Sequence, residues 1–218
     1  MVFGKIEYLN LLPFHVFMKR FTKDSSSRMG MHYKKGVPAA INKKFASRRV
    51  DAAFISSIRA RSYKNAGLGI IAKRKEVRSV LVIPSAQMRE DKESATSNLL
   101  AKVLGVKGEV LIGDKALRYY LQSTEHTDLA TLWHAKHNLP FVFALLCYHK
   151  DKALYEKIKK QFLAANVKIP RYILQEASKR TQIPPQEILE YLRYISYEVD
   201  KKALLGLKKF YKAVDNLV

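Results

Sequence analysis

From Val2 to Cys147 the chain alternates short β-branched and aromatic runs with stretches of helical periodicity, and this alternation restricts the fold more than any other feature. Strands are expected over 2–8, 50–55, 78–83, 109–112 and 141–147, separated by helices that follow Pro13, Pro38, Ser97, Gly113 and Asp128. Beyond Asp151 only helices are expected: Lys152 to Ala165, Arg171 to Lys179, Pro185 to Ile195 and Lys201 to Leu217. That order predicts an α/β architecture of two lobes, 1–83 and 84–150, with a helical segment, 151–218, packed on them. At 218 residues such a chain buries a core without disulfide or metal staples.

Charge is the anomaly. Lys and Arg number 40 against 19 Asp and Glu, and residues 1–83 hold 18 basic against 4 acidic side chains. A nucleic-acid surface would interleave such charge with aromatic stacking residues. Here Lys34, Lys35, Lys43, Lys44, Arg48, Arg49, Arg59, Arg61, Lys64 and residues 73–75 are spread over helix faces and loops, and Phe45 and Tyr63 are too few to make a stacking platform. No nucleic-acid partner is expected. No apolar run approaches the roughly 18 residues of a membrane span. The first seven residues lack the pattern of a signal peptide, and Cys147 has no second cysteine to pair with, so the expected location is the cytoplasm.

In open α/β sheets ligands sit beyond the carboxyl ends of strands. Three such ends carry small polar residues: Leu9-Asn10, Ser56-Ser57 and Gly113-Asp114. Each is equally explained as a turn or helix cap. Ser94-Ala95-Thr96-Ser97 opens a helix with hydroxyls and free N–H groups that suit an anion, or simply cap it. Neither G-x-x-x-x-G-K-[ST] nor G-x-G-x-x-G occurs, so nucleotide binding is not expected. His126, His134 and His137 do not fit a zinc spacing, and no metal or other cofactor is expected. His15, one turn beyond Asn10, is the histidine nearest the presumed cleft.

Seven blocks, in order, carry a resemblance: Gly4 to Pro13, Gly36-Val37-Pro38 with Ile41-Asn42, Asp51 to Ser57, Val77 to Leu81, Ser94 to Ser97, Leu111 to Leu117, and Asp128 to Trp133 with Leu139 to Ala144. Together they resemble the chorismate dehydratases of menaquinone biosynthesis. Tyr8-Leu9-Asn10 favours these over the sister dihydroxynaphthoate synthases, whose first strand typically runs into a Ser-Pro-Cys-Pro-Asn-Asp type of loop. The resemblance implies a fold similar to type II periplasmic binding proteins, used as a cytoplasmic lyase of the futalosine pathway. The implied reaction is dehydration of chorismate to 3-[(1-carboxyvinyl)oxy]benzoate.

On that resemblance Asn10 and Ser79 are the candidate catalytic residues, contacting the ring and enolpyruvyl side of the substrate. Ser56, Ser57, Thr96 and Ser97 are candidates for binding its carboxylates, with Asp114 and His15 as further substrate contacts. Since none of the hydroxyl and amide groups is a good base, the expected proton acceptor is the substrate's own enolpyruvyl carboxylate, with His15 as the rival. A carboxylate-binding protein of the same fold is the alternative from another class. The excess basic charge helps draw in a dianion.

Overall fold

The computed structural model describes residues 1–24, 30–73 and 75–217; Arg74 of the basic surface lies outside them. Two sheets organise the chain. The larger runs in the order β2-β1-β3-β8-β4-β9, from β1 (Val2–Lys5), β2 (His32–Lys35), β3 (Ala52–Ser56), β4 (Asn65–Ala72), β8 (Val142–Tyr148) and β9 (Ile195–Glu198). The smaller runs β6-β5-β7, from β5 (Val80–Ile83), β6 (Glu109–Ile112) and β7 (Thr127–Asp128). The chain leaves the larger sheet after Ala72, builds the smaller one, and returns at Val142.

This topology reassigns two strands. The run at 78–83, placed by sequence in the first lobe, pairs with β6 (Leu81 opposite Leu111) in the smaller sheet. The run at 141–147, placed in the second lobe, inserts between β3 and β4 in the larger sheet, with Phe54 opposite Leu146 and Gly69 opposite Leu145. Both runs are apolar enough to fill any interior position, so periodicity alone could not choose their sheet. The segment beyond 151 is not purely helical, because Ile195–Glu198 adds an edge strand antiparallel to β4. Strand β4 itself is hidden in the sequence by Gly67 and Gly69, residues that weaken strand propensity. Gly69 is needed there: a Cβ would lie 2.7 Å from the Ala144 carbonyl oxygen.

Helices cover both sheets. α1 (Leu12–Asp24), α2 (Pro38–Ala46) and the single turn α3 (Ser57–Ala60) belong to the first lobe. α4 (Ala95–Leu104), α5 (Gly113–Gln122) and α6 (Leu129–His137) belong to the second. α7 (Lys152–Ala164), α8 (Arg171–Thr181), α9 (Pro185–Leu192) and α10 (Lys201–Asp215) close the chain. The core is aromatic. Phe14 of α1 meets Phe54 edge-on at 5.0 Å and Phe162 at 5.2 Å, and Trp133, Phe141 and Phe210 are fully buried together. Such pairs add roughly 1 kcal/mol each beyond their buried area. The C-terminal helices are thus part of one packed core with the sheets.

Candidate active site

A cleft lies between the two sheets. Its walls are Ile6, Tyr8, Asn10, Phe54, Ser56 and Phe143 from the first lobe, and Val77, Ser79, Ser94, Ser97, Ile112 and Gly113 from the second. Each polar member is delivered by a local device. Past β1 the chain makes a 3-10 turn, Leu9–Leu11, held by Leu11 N–H to the Tyr8 carbonyl (3.0 Å), Leu9 N–H to Asp114 Oδ1 (2.9 Å) and the Tyr197 hydroxyl to the Asn10 carbonyl (2.7 Å). With its backbone fixed from both lobes, Asn10 lines the cleft, and its side chain is within hydrogen-bond reach of the Tyr191 phenol.

Ser79 is held as firmly. Asp128 accepts the Val77 and Arg78 N–H groups through Oδ2 (3.0 and 2.7 Å) and caps α6 through Oδ1 on Ala130 and Thr131. Arg78 takes a left-handed φ of 61° there, and the Ser79 carbonyl accepts the Gly113 N–H at 2.9 Å. Ser56 ends β3. Ser97 sits in the first turn of α4, its N–H bound to the N-cap Ser94 Oγ at 3.1 Å.

The hydroxyls share a polarity. Ser56 Oγ accepts from Asn42 Nδ2 at 2.5 Å, Ser79 Oγ from the Tyr191 hydroxyl at 2.8 Å, and Ser97 Oγ from the Ser94 hydroxyl at 2.8 Å. Among the described residues none of the three donates to a protein acceptor. A serine hydroxyl has one proton. With a protein donor already on the oxygen, that proton is free to point into the cleft, so the site is a set of O–H donors prepared for an anion. The floor is apolar, from Ile6, Phe54, Ile70, Val80 and Phe143, which strengthens each hydrogen bond made above it.

No Asp, Glu, His, Lys or Arg lines the cleft among the described residues. Tyr8 and Tyr191 are kept neutral: burial pushes both phenols well up, and for Tyr8 the Glu93 carboxylate that accepts its proton pushes further. The Tyr8 ring rests on Gly113, which has φ of 66° and where a Cβ would lie 2.7 Å from the ring.

Of the sequence-derived candidates, Asn10, Ser56, Ser79 and Ser97 meet in the cleft. The other four lie outside its lining. Ser57 and Thr96 are buried against each other with their hydroxyls 3.3 Å apart, and Thr96 Oγ1 accepts the Ile58 N–H at 3.2 Å, so they tie α3 to α4 across the lobes. Asp114 spends its oxygens on Leu9 N–H and Arg180 (2.9 Å). Burial raises its pKa, opposed by those two partners. His15 Nε2 donates to the Ile6 carbonyl at 2.8 Å. It faces a separate cavity beside α8, and burial lowers its pKa to about 4. Sequence reasoning missed Asn42 and Tyr191 as partners of the serines, and Tyr8 as a wall. Asn42 and Tyr8 stand within the blocks quoted above, but Tyr191, 112 residues from Ser79, leaves no local signal.

Among the described residues no group of three or more His, Cys, Asp or Glu is placed to hold a metal ion, and no helix is long and apolar enough to cross a membrane. The fold is shared with solved structures. An Archaeoglobus fulgidus protein aligns over 100% of this chain and 98% of its own with a TM-score of 0.74 at 14% identity. A Candida albicans protein described as having the generic periplasmic binding protein fold aligns over 100% and 90% with a TM-score of 0.57 at 11% identity. The fold is therefore the periplasmic-binding-protein-like one. In sequence, the chorismate dehydratase of Campylobacter jejuni is 46% identical over 217 residues, 98% of this chain and 97% of that protein. A family model described as menaquinone biosynthesis matches residues 1–108 and 104–216, and with that the chain belongs to the menaquinone-biosynthesis family of which the Campylobacter enzyme is a relative.

Proposed function

We propose that the chain is a chorismate dehydratase, a hydro-lyase that converts chorismate to 3-[(1-carboxyvinyl)oxy]benzoate and water in menaquinone biosynthesis. One observation carries the reading: three serine hydroxyls that already accept protein hydrogen bonds open onto a cleft that no Asp, Glu, His, Lys or Arg lines among the described residues, matching a substrate with two carboxylates and a leaving hydroxyl. The identity to the Campylobacter dehydratase supports the same substrate.

The chemistry follows from the substrate. The proton on the ring carbon that bears the ether is acidified by conjugation with the ring carboxylate. Its removal puts charge on that carboxylate, and expulsion of the neighbouring hydroxyl aromatises the ring. Among the described residues the cleft offers no side-chain base, so the enolpyruvyl carboxylate takes the proton and passes it to the departing hydroxide, which leaves as water. Proton and charge balance without a cofactor.

The protein supplies geometry and donors. Ser56 and Ser97 hold carboxylate oxygens, while Asn10 and Ser79 hold the enolpyruvyl side over the ring. Fixing base and proton in contact contributes about 7 kcal/mol or more in well-oriented systems, and each donor aimed at developing charge about 3 kcal/mol. Turnover of chorismate by the wild type and by Asn10→Ala and Ser79→Ala tests the roles. Each variant is expected to lose on the order of 100-fold in kcat; wild-type kcat in both removes the assignment.

A further inference from the structure

A second interlobe cavity adjoins the cleft. This groove is lined by Asn42 and Lys43 of α2, Arg59 of α3, and Lys92, Ala95 and Asn98 of the second lobe. Asn42 is the shared wall: it lines the groove while its Nδ2 holds Ser56 Oγ, which lines the cleft. The first turn of α4 is the other. Ser94 and Ser97 face the cleft, and Ala95 and Asn98 face the groove.

The groove's charge is one-sided. Glu90 and Asp91 also line it, but each is neutralised by a lysine from outside the lining, Lys102 at 2.6 Å and Lys115 at 2.7 Å. Lys43, Arg59 and Lys92 have no ion-pair partner among the described residues. The backbone carrying Lys92 is fixed, because the buried Asn98 amide accepts the Asp91 N–H (2.9 Å) and donates to the Asp91 carbonyl (2.8 Å). One residue on, Glu93 turns the other way and accepts the Tyr8 hydroxyl at the cleft wall. A single pinned loop therefore serves both cavities.

We propose that this groove is an anion vestibule, in which Lys43, Arg59 and Lys92 collect a small dicarboxylate and deliver it past Asn42 into the serine-lined cleft. The division of labour is physical. A neutral cleft leaves the reacting carboxylate unpaired and basic, whereas a cation inside it would lower that basicity; the cations that raise the local concentration of a dianion therefore work best one cavity away. Focusing by clustered charge raises association by roughly 10-fold to 1,000-fold at low salt.

The inference rests on chorismate being the substrate, and the test separates the two claims. kcat and kcat/KM for chorismate are measured at about 10 mM and about 1 M NaCl, where the screening length falls from about 30 Å to about 3 Å. The proteins are the wild type, a triple variant Lys43→Gln, Arg59→Gln, Lys92→Gln, and a control triple Lys168→Gln, Arg171→Gln, Lys179→Gln on α8 and the loop before it. All six side chains are exposed, so the core is untouched. The groove triple is expected to lose about tenfold in kcat/KM at low salt, keep kcat, and lose its salt dependence, while the control behaves as wild type. Equal kcat/KM in the groove triple and wild type, equal losses in both triples, or a fall in kcat overturns the vestibule. A wild type that does not turn over chorismate overturns the functional reading, and the vestibule with it.

Discussion

The Tyr191 hydroxyl donates to Ser79 Oγ at 2.8 Å, joining α9 of the C-terminal segment to the turn ahead of β5. Ser79 is 2% exposed, and Tyr191 is likewise buried. A donor brought from the end of the chain thus decides which way a cleft hydroxyl points. Tyr191→Phe keeps the ring and removes that donor, leaving Ser79 free to rotate. The expected result is a loss of about tenfold in kcat with a drop of about 1 kcal/mol in stability, read by steady-state kinetics and by denaturant melts. Unchanged kcat would show that Ser79 needs no external orientation.

Asn42 orients Ser56 in both directions, donating to its Oγ and accepting its N–H at 3.2 Å. Asn42→Asp reverses the side-chain bond, so the serine proton turns back to the new carboxylate and a negative charge stands beside the anion site. KM for chorismate is expected to rise on the order of 100-fold, consistent with a few kcal/mol for a reversed and charged partner. A KM within a factor of two of wild type refutes the donor polarity at Ser56.

Gly113 carries the Tyr8 ring and a φ of 66°. Gly113→Ala adds a Cβ 2.7 Å from the ring and places alanine in the left-handed region, at about 1 kcal/mol for the backbone alone. The ring must move, and it forms one wall of the cleft. Lower thermal stability together with an increased KM is the expected outcome, and wild-type values in both would show that Tyr8 does not depend on the glycine.

His15 is half-buried with its pKa lowered to about 4, desolvation being the largest cause. The unfolded chain binds this proton near pH 6.5 and the folded one does not until about pH 4, so the contribution is intact above pH 6.5 and is lost progressively as the pH falls towards 4. The full loss is on the order of 3 kcal/mol. His15→Gln is expected to flatten stability against pH in that window and to leave kcat at pH 7.5 within twofold. A kcat loss of 100-fold in a folded variant would restore His15 as the base.

Much of this candidate site is legible in the sequence. Asn10 and Ser56 stand at strand ends where an α/β sheet collects its ligand, and Ser97 stands at a helix start; all three reach the cleft. What local sequence does not encode is pairing between distant segments. Ser57 and Thr96 look like binding residues from either side, yet they are spent on each other at 3.3 Å. Asp114 looks equally exposed after Gly113, but Leu9 N–H and Arg180 occupy it. The same limit applies to the sheets: Phe141 to Cys147 announces a buried strand, and only the return of the chain from the smaller sheet decides that it lies between β3 and β4.

The most direct test of the account is to incubate the purified chain with chorismate in chelator-treated buffer and follow the mixture by proton NMR. The account predicts that chorismate is replaced by 3-[(1-carboxyvinyl)oxy]benzoate, with aromatic ring signals appearing as the ring-diene signals vanish and the enolpyruvyl methylene retained. Chorismate that remains unchanged, even while bound, contradicts it.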